Sequence, residues 1–132
     1  MKDIIELLRD PETTVAVVGA TDNPSKYGAR IYRDLKAKGF TVYPVNLTRD
    51  TVDGDKAYAS ITDIAEPPTL VDLVVPPART LRVLQECLEA GIMNVWVQPG
   101  AGSPEVVEFL VRNGFNYLAD DACIMVESRV LA

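Results

Sequence analysis

The sequence contains no histidine, and this absence excludes several kinds of chemistry at once. Without an imidazole there is no Ser-His-Asp triad, no histidine general base and no phosphohistidine. Only two cysteines are present, Cys87 and Cys123, so a zinc site would need carboxylates for its other ligands, which is an improbable donor set. Two cysteines without an export signal favour free thiols in a reducing cytosol. We therefore expect a protein that is not an enzyme and holds no metal.

Long apolar runs and basic stripes are lacking as well. No apolar run approaches the roughly 18 residues that a membrane span requires. The first residues, Met1 to Glu6, are too charged for a signal peptide. The chain carries 19 acidic and 13 basic residues, a net charge of −6, and the basic residues form no stripe. These features predict a cytoplasmic protein that binds neither nucleic acid nor membrane.

The 132 residues, 48% of them hydrophobic, are enough for one domain (1–132) with a substantial core. Apolar patterns and glycine stops predict strands at Val15–Val18, Phe40–Val45, Leu70–Val75, Met93–Val97 and Asn116–Ala119. They predict helices at Asp3–Arg9, Tyr27–Lys38 and Ala78–Ala90, the last with Leu81, Leu84 and Leu88 inward, and a further helix from Pro104 to a stop at Gly114. This alternation predicts an α/β fold: a three-layer, doubly wound parallel sheet of about five strands, ordered 3-2-1-4-5.

The stretch Val15–Arg30 organises the chain. A β-branched strand ends at Gly19, a polar loop follows, and a helix begins near Tyr27, so backbone N–H groups converge where an anion can sit. An ordinary βα connection would carry the same glycine. Lys26, Arg30 and Arg79 fall at predicted helix starts, where cations oppose the helix dipole. A bound phosphate would reverse that unfavourable interaction, so together these cations favour an anionic ligand.

Two departures argue against a classical NAD site. The glycine after Gly19 is Gly28, so the loop is longer than Gly-x-Gly-x-x-Gly. At the end of the second strand the chain has Asn46, where an NAD site has an acid that binds the ribose, roughly 20 residues beyond the glycines.

Four loops are expected to meet at the carboxyl edge of the sheet, where such folds bind ligands: Gly19–Lys26, Pro44–Asn46, Val75–Arg79 and Gln98–Gly102. The chain carries the motifs Val18-Gly19-Ala20-Thr21, Asn23-Pro24-Ser25-Lys26, Pro44-Val45-Asn46, Val75-Pro76-Pro77, Trp96-Val97-Gln98-Pro99-Gly100 and Asp121-Ala122-Cys123. Together these motifs resemble those of the small stand-alone CoA-binding domain proteins. That family is similar in fold to the CoA-binding domain of succinyl-CoA synthetase α subunits, and the resemblance runs from about Thr14 to Glu127. Leu47 and Ala122 depart from it, since the family often has proline at the first position and arginine at the second.

The resemblance implies a role for each loop. The first loop would hold the CoA phosphates, Pro44–Asn46 would flank the adenosine, Val75–Pro77 would form an apolar wall, and Gln98–Gly100 would lie near the pantetheine. The expected CoA-binding residues are Gly19, Ala20, Thr21, Asn23, Pro24, Ser25, Lys26, Tyr27, Pro44, Val45, Asn46, Val75, Pro76, Pro77, Arg79, Gln98, Pro99 and Gly100.

We therefore expect a non-catalytic module that binds CoA or acyl-CoA, because the synthetase also needs a phosphohistidine segment and a partner subunit. Two other functions stay open: an NAD(H)-binding redox sensor, and an accessory subunit that acts through a protein interface. A homo-oligomer or a complex with a partner subunit is compatible with each of them. Cys123 is either an inert core residue or, if it lies near the ligand, able to form a mixed disulfide with the CoA thiol.

Overall fold

Parallel strands form the central sheet of the computed structural model, which describes residues 3–119 and 122–129. The strands are β1 (Thr14–Val18), β2 (Thr41–Val45), β3 (Thr51–Val52), β4 (Asp55–Lys56), β5 (Leu70–Leu73), β6 (Asn94–Val97) and β7 (Asn116–Leu118). Strands β3 and β4 form a separate antiparallel hairpin. Its turn uses Asp53 and Gly54 at positive φ, as a two-residue hairpin loop requires.

Helices cover both faces of the sheet and complete the predicted three layers. They are α1 (Ile4–Leu7), α2 (Tyr27–Ala37), α3 (Pro77–Ala90), α4 (Pro104–Arg112) and α5 (Ile124–Glu127), with a 3₁₀ turn at Ile61–Asp63. Because side chains alternate along a strand, Val15 and Val17 pack in one cluster with α1, α2 and α5, whereas Ala16 and Val18 pack in another with α3 and α4. The α/β doubly wound fold is confirmed.

The sheet runs in the order β2-β1-β5-β6-β7. Beyond β2, Tyr58 forms a single parallel bridge with Val45. When this bridge is counted as the third position, the predicted pattern 3-2-1-4-5 is matched, with β7 added at the far edge. The strand at Leu70 is the third predicted strand in chain order, but it pairs with β1 and occupies the fourth position. The change of direction therefore lies between β1 and β5, and a ligand site is expected there.

Helix α3 corrects one detail of the predicted core. Its buried face is formed by Thr80, Val83, Leu84 and Cys87, while Leu88 remains 37% exposed. The short helix α5 was not predicted. No helix within the described residues is long and apolar enough to cross a membrane.

Candidate functional site

A cavity of about 840 Å³ opens at the carboxyl edge of the sheet, where the order changes direction. Four segments line it: the loop after β1 with the start of α2, the segment between β5 and α3, the loop after β6, and α5. This volume lies within the usual range of small-molecule sites, roughly 300–1,000 Å³.

Two glycines allow the first loop to lie close to its neighbours. Gly19 has φ of +103°, and a Cβ there would lie 2.4 Å from the carbonyl oxygen of Val74. A Cβ on Gly28 would lie 1.9 Å from the carbonyl oxygen of Gly19. The first turn of α2 therefore packs directly on the end of β1, and only glycine fits at either position.

Hydrogen bonds within the loop hold it in shape. Asn23 Oδ1 accepts from the backbone N–H of Ser25 at 3.1 Å and from its hydroxyl at 2.7 Å. The Lys26 N–H donates to the carbonyl oxygen of Asn23 at 3.0 Å. The Ser25 hydroxyl therefore stabilises the loop through its hydrogen bond to Asn23. Ser25 does not line the cavity, whereas Thr21, Asn23 and Lys26 do.

The start of α2 has the features of an anion site. Its N-cap residue is Lys26, no side chain caps the first turn, and that turn contains no acidic residue. By contrast, α4 is capped by the hydroxyl of Ser103 and has Glu105 in its first turn. The free N–H groups and the positive end of the helix dipole at α2 therefore face the cavity beside a cation.

Arg49 adds a second cation to this wall, and sequence reasoning missed it. Asn46 positions the segment: its Nδ2 donates to the Ala20 carbonyl at 2.9 Å, and its Oδ1 accepts from the Arg49 N–H at 3.0 Å. The Arg49 guanidinium lies 3.5 Å from Asp22 Oδ2 and is 42% exposed. The available signal was a cation four residues after the end of β2, but its place in the same cavity lining as Lys26 depends on the tertiary fold.

The other walls of the cavity are apolar. Val74, Val75, Pro76 and Pro77 line it beneath the start of α3, and Met125 and Val126 line it from α5. Val126 is 77% exposed. The lining of the cavity thus combines two cationic side chains, Lys26 and Arg49, with apolar side chains from other segments.

Gln98 connects the end of β6 to the start of α5 by side-chain hydrogen bonds. Its side chain is buried, its Oε1 accepts from the Ile124 N–H at 3.0 Å, and its Nε2 lies 3.3 Å from Cys123 Sγ. These contacts bring Cys123 into the cavity wall, where it is half-buried. Asp121, part of the motif that drew attention to this cysteine, lies outside the described residues.

The structure brings many of the predicted site residues together around this cavity: Gly19, Thr21, Asn23, Lys26, Tyr27, Val75, Pro76, Pro77, Gln98, Pro99 and Gly100. The remaining predicted residues of these loops do not line it, namely Ala20, Pro24, Ser25, Pro44 and Asn46. Val45 and Arg79 line a smaller neighbouring cavity. The lining residues that sequence reasoning did not select include Arg49, Val74, Cys123, Met125 and Val126. Within the described residues, His, Cys, Asp and Glu side chains form no group suited to hold a metal ion.

Comparison with known proteins adds independent information. A protein-family model described as a CoA binding domain matches residues 13–129. The chain is 39% identical, over 82 residues, to the ADP-forming acetate–CoA ligase II subunit alpha of Pyrococcus furiosus, covering 61% of this chain and 18% of that protein. The chain therefore spans less than a fifth of the length of this ligase subunit.

Small relatives match over most of their own length. The uncharacterized protein YneT of Bacillus subtilis is 29% identical over 116 residues, which cover 88% of this chain and 85% of that protein. A solved structure of a conserved hypothetical protein from Pyrococcus furiosus superposes with a TM-score of 0.84 at 43% identity. The superposition covers 88% of this chain and 99% of that one.

Proposed function

Because this chain belongs to the CoA binding domain family, we propose that it binds coenzyme A or an acyl-CoA in the cavity at the carboxyl edge of the sheet. In this proposal it acts as a binding or regulatory module without catalysis of its own. The observation that carries the proposal is that one cavity is lined by the uncapped start of α2, by two cationic side chains and by several apolar side chains.

The start of α2 and the cationic side chains suit the pyrophosphate of CoA. The uncapped first turn of α2 offers backbone N–H groups, and the side chains of Lys26 and Arg49 offer positive charge. Hydrogen bonds between charged partners are roughly twice as strong as neutral ones. A pyrophosphate would therefore be held by the backbone and two cations together.

The apolar side chains suit the pantetheine arm, a flexible chain of methylene, methyl and amide groups that ends in a thiol. Val75, Pro76 and Pro77 form a stiff apolar wall on one side, and Met125 forms an adaptable one on the other. In this orientation the thiol would lie on the side of Gln98 and Cys123.

The geometry of Asn46 favours CoA over NAD. In a dinucleotide site, an acidic residue at the end of the second strand accepts hydrogen bonds from the ribose hydroxyls. Here Asn46 already donates to Ala20 and accepts from the N–H groups of Thr48 and Arg49, so its side chain is engaged within the protein.

Calorimetric titration with CoA, acetyl-CoA, NAD and ATP tests the proposal. We expect CoA and acetyl-CoA to bind, NAD to bind far more weakly, and Lys26→Ala to weaken CoA binding by roughly 1.5–3 kcal/mol without unfolding the protein. Lys56→Ala is the matched control, because Lys56 is exposed on β4 and lines no part of the cavity. Binding of NAD without binding of CoA would overturn the proposal and favour a redox sensor.

A further inference from the structure

Apolar side chains of two helices, α2 and α5, line the cavity at the carboxyl edge of the sheet. Tyr27 and Ile31 contribute from α2, and Met125 and Val126 contribute from α5. Tyr27 and Ile31 are four residues apart, so they lie on the same face of α2. Ile31 and Met125 belong to one hydrophobic cluster, so the two helices present a shared apolar surface rather than separate side chains.

Two of these side chains are unusually exposed. Val126 is 77% exposed and Tyr27 is 65% exposed, the highest values for large apolar side chains among the described residues. Apolar side chains that occur singly on a surface are common and need no partner. These two differ because both line a cavity that also includes Ile31 and Met125. An apolar group bound there would remove part of this surface from water, which is favourable.

Helix α5 begins where the proposed function places the thiol of CoA. Cys123 is the N-cap residue of α5, and Met125 and Val126 follow within the same turn. The sulfur of Cys123 lies 3.3 Å from Gln98 Nε2, and these two residues mark the side on which the thiol is proposed to end. An acyl group attached to that thiol would therefore lie beside Met125 and Val126.

Interactions outside the cavity hold this apolar surface in place. Helices α2 and α5 pack against each other, and Lys38 Nζ donates to the Met125 carbonyl at 2.7 Å and to the Ser128 hydroxyl at 2.9 Å. The Arg30 guanidinium lies over the ring of Tyr27, 5.7 Å from its centroid, within the range of a cation–π interaction. Neither Lys38 nor Arg30 lines the cavity, so a bound acyl chain leaves these contacts intact.

We infer that this surface, formed by Tyr27, Ile31, Met125 and Val126, binds the acyl chain of an acyl-CoA. The inference rests on the proposed function and names its ligand class, which is CoA thioesters of unbranched hydrocarbon chains longer than acetyl. Such thioesters bind in preference to free CoA, because the chain covers apolar surface that CoA leaves in water. Met125 suits chains of different length, since its unbranched side chain adapts to irregular apolar shapes.

Calorimetric titration with CoA and with acetyl-, butyryl-, hexanoyl- and octanoyl-CoA tests this inference, because the thioesters differ only in chain length. We expect the dissociation constant to fall about two- to fourfold for each added methylene group, the larger value corresponding to complete burial. In Val126→Ser and in Tyr27→Ser the dependence on chain length should weaken. Both side chains are exposed, so neither substitution should unfold the protein.

Val111→Ser is the matched control, because Val111 is a valine 63% exposed on α4 that does not line the cavity, and the dependence on chain length should stay unchanged. Binding of CoA and of all the thioesters with equal affinity would overturn this inference and leave the proposed function standing. A chain-length dependence equal to that of the wild type in both Val126→Ser and Tyr27→Ser would also overturn it. Failure of CoA and of every thioester to bind would overturn the proposed function itself.

Discussion

At the scale of single residues, Asp72 is a carboxyl group buried without a hydrogen-bond partner in the described part of the chain. It lies in the middle of β5, between Val17 on β1 and Trp96 on β6, and is fully buried. Neither carboxylate oxygen has a hydrogen-bond partner within the described residues. Burial therefore raises the pKa of Asp72 well above its ordinary value of 3.8.

A raised pKa in the folded state makes stability depend on pH in a defined direction. The folded protein binds the Asp72 proton more tightly than the unfolded chain, so the contribution to stability is complete below about pH 4 and is lost as pH rises above that value. Asp72→Asn removes the titrating group. We expect its free energy of unfolding at pH 7 to exceed that of the wild type by at least about 1 kcal/mol, with a smaller difference at pH 4.

Denaturant unfolding across pH 4–7 measures this effect. Asp63→Asn is the control, because Asp63 is exposed in the 3₁₀ turn and should leave the profile unchanged. Parallel pH profiles for Asp72→Asn and the wild type would contradict the assignment.

The two cysteines differ sharply in their surroundings. Cys87 is fully buried on the inner face of α3, and burial raises the pKa of its thiol to about 12. Cys123 lies in the wall of the cavity, on the side where we propose the pantetheine thiol to end. Only Cys123 is therefore accessible to a bound thiol or disulfide.

We predict that CoA disulfide forms an adduct with Cys123 by thiol–disulfide exchange. The Cys123 thiolate attacks one sulfur of CoA disulfide, the S–S bond breaks, and one CoA leaves as a thiolate that takes up the proton. Intact mass should rise by one CoA and return after reduction, and peptide mapping should locate the adduct at Cys123 with none at Cys87. The same adduct in Cys123→Ser would disprove this chemistry.

At the scale of elements, α5 depends on its neighbours. A helix of four residues is too short to be stable alone. Hydrogen bonds from other elements hold the segment that contains it, among them Gln98 Oε1 to the Ile124 N–H, Trp96 Nε1 to the Ala122 carbonyl, and Lys38 Nζ to the Met125 carbonyl. The position of α5 in the wall of the cavity therefore depends on these hydrogen bonds.

Gln98→Leu should loosen this wall. The substitution leaves the Ile124 N–H without its acceptor, which costs roughly 1–3 kcal/mol for a buried donor. We expect faster hydrogen exchange at Ile124 and Ser128 and weaker CoA binding, while the amides of β1 stay protected. Gln85→Leu on the exposed side of α3 is the control, and unchanged protection at Ile124 would contradict the proposed role of Gln98.

At the scale of the whole molecule, the cavity draws walls from residues as distant in sequence as Gly19 and Val126. Unfolding any of these segments destroys the site, so ligand binding should stabilise the entire fold. A ligand at 100 times its dissociation constant stabilises the folded state by about 2.7 kcal/mol. For a chain of 132 residues this corresponds to an increase in Tm on the order of 10 °C.

Thermal unfolding with saturating CoA, acetyl-CoA, NAD or ATP measures this increase. CoA and acetyl-CoA should raise Tm clearly and NAD hardly at all, and the increase with CoA should shrink in Lys26→Ala at the same concentration. A large increase with NAD and none with CoA would favour the redox-sensor alternative.

Local patterns were sufficient to predict much of this fold. The β-branched residues of β1, the helix stop at Gly39 and the Ser103-Pro104 start of α4 act through neighbouring residues, so their effects are visible in sequence. The prediction was wrong for Leu88, because helical spacing alone does not set the angle at which α3 meets the sheet.

The sequence by itself determined the layered α/β architecture, the polar loop after β1 and the exclusion of histidine chemistry, since composition and local propensity decide each of them. Only the tertiary structure decided that Leu70 pairs beside Val15, that Arg49 joins the wall that includes Lys26, and that Cys123 and Met125 close the cavity. These are contacts between residues far apart in the chain, and they depend on how strands pair and helices pack. No local pattern encodes that geometry, because it results from the burial of all the apolar faces together.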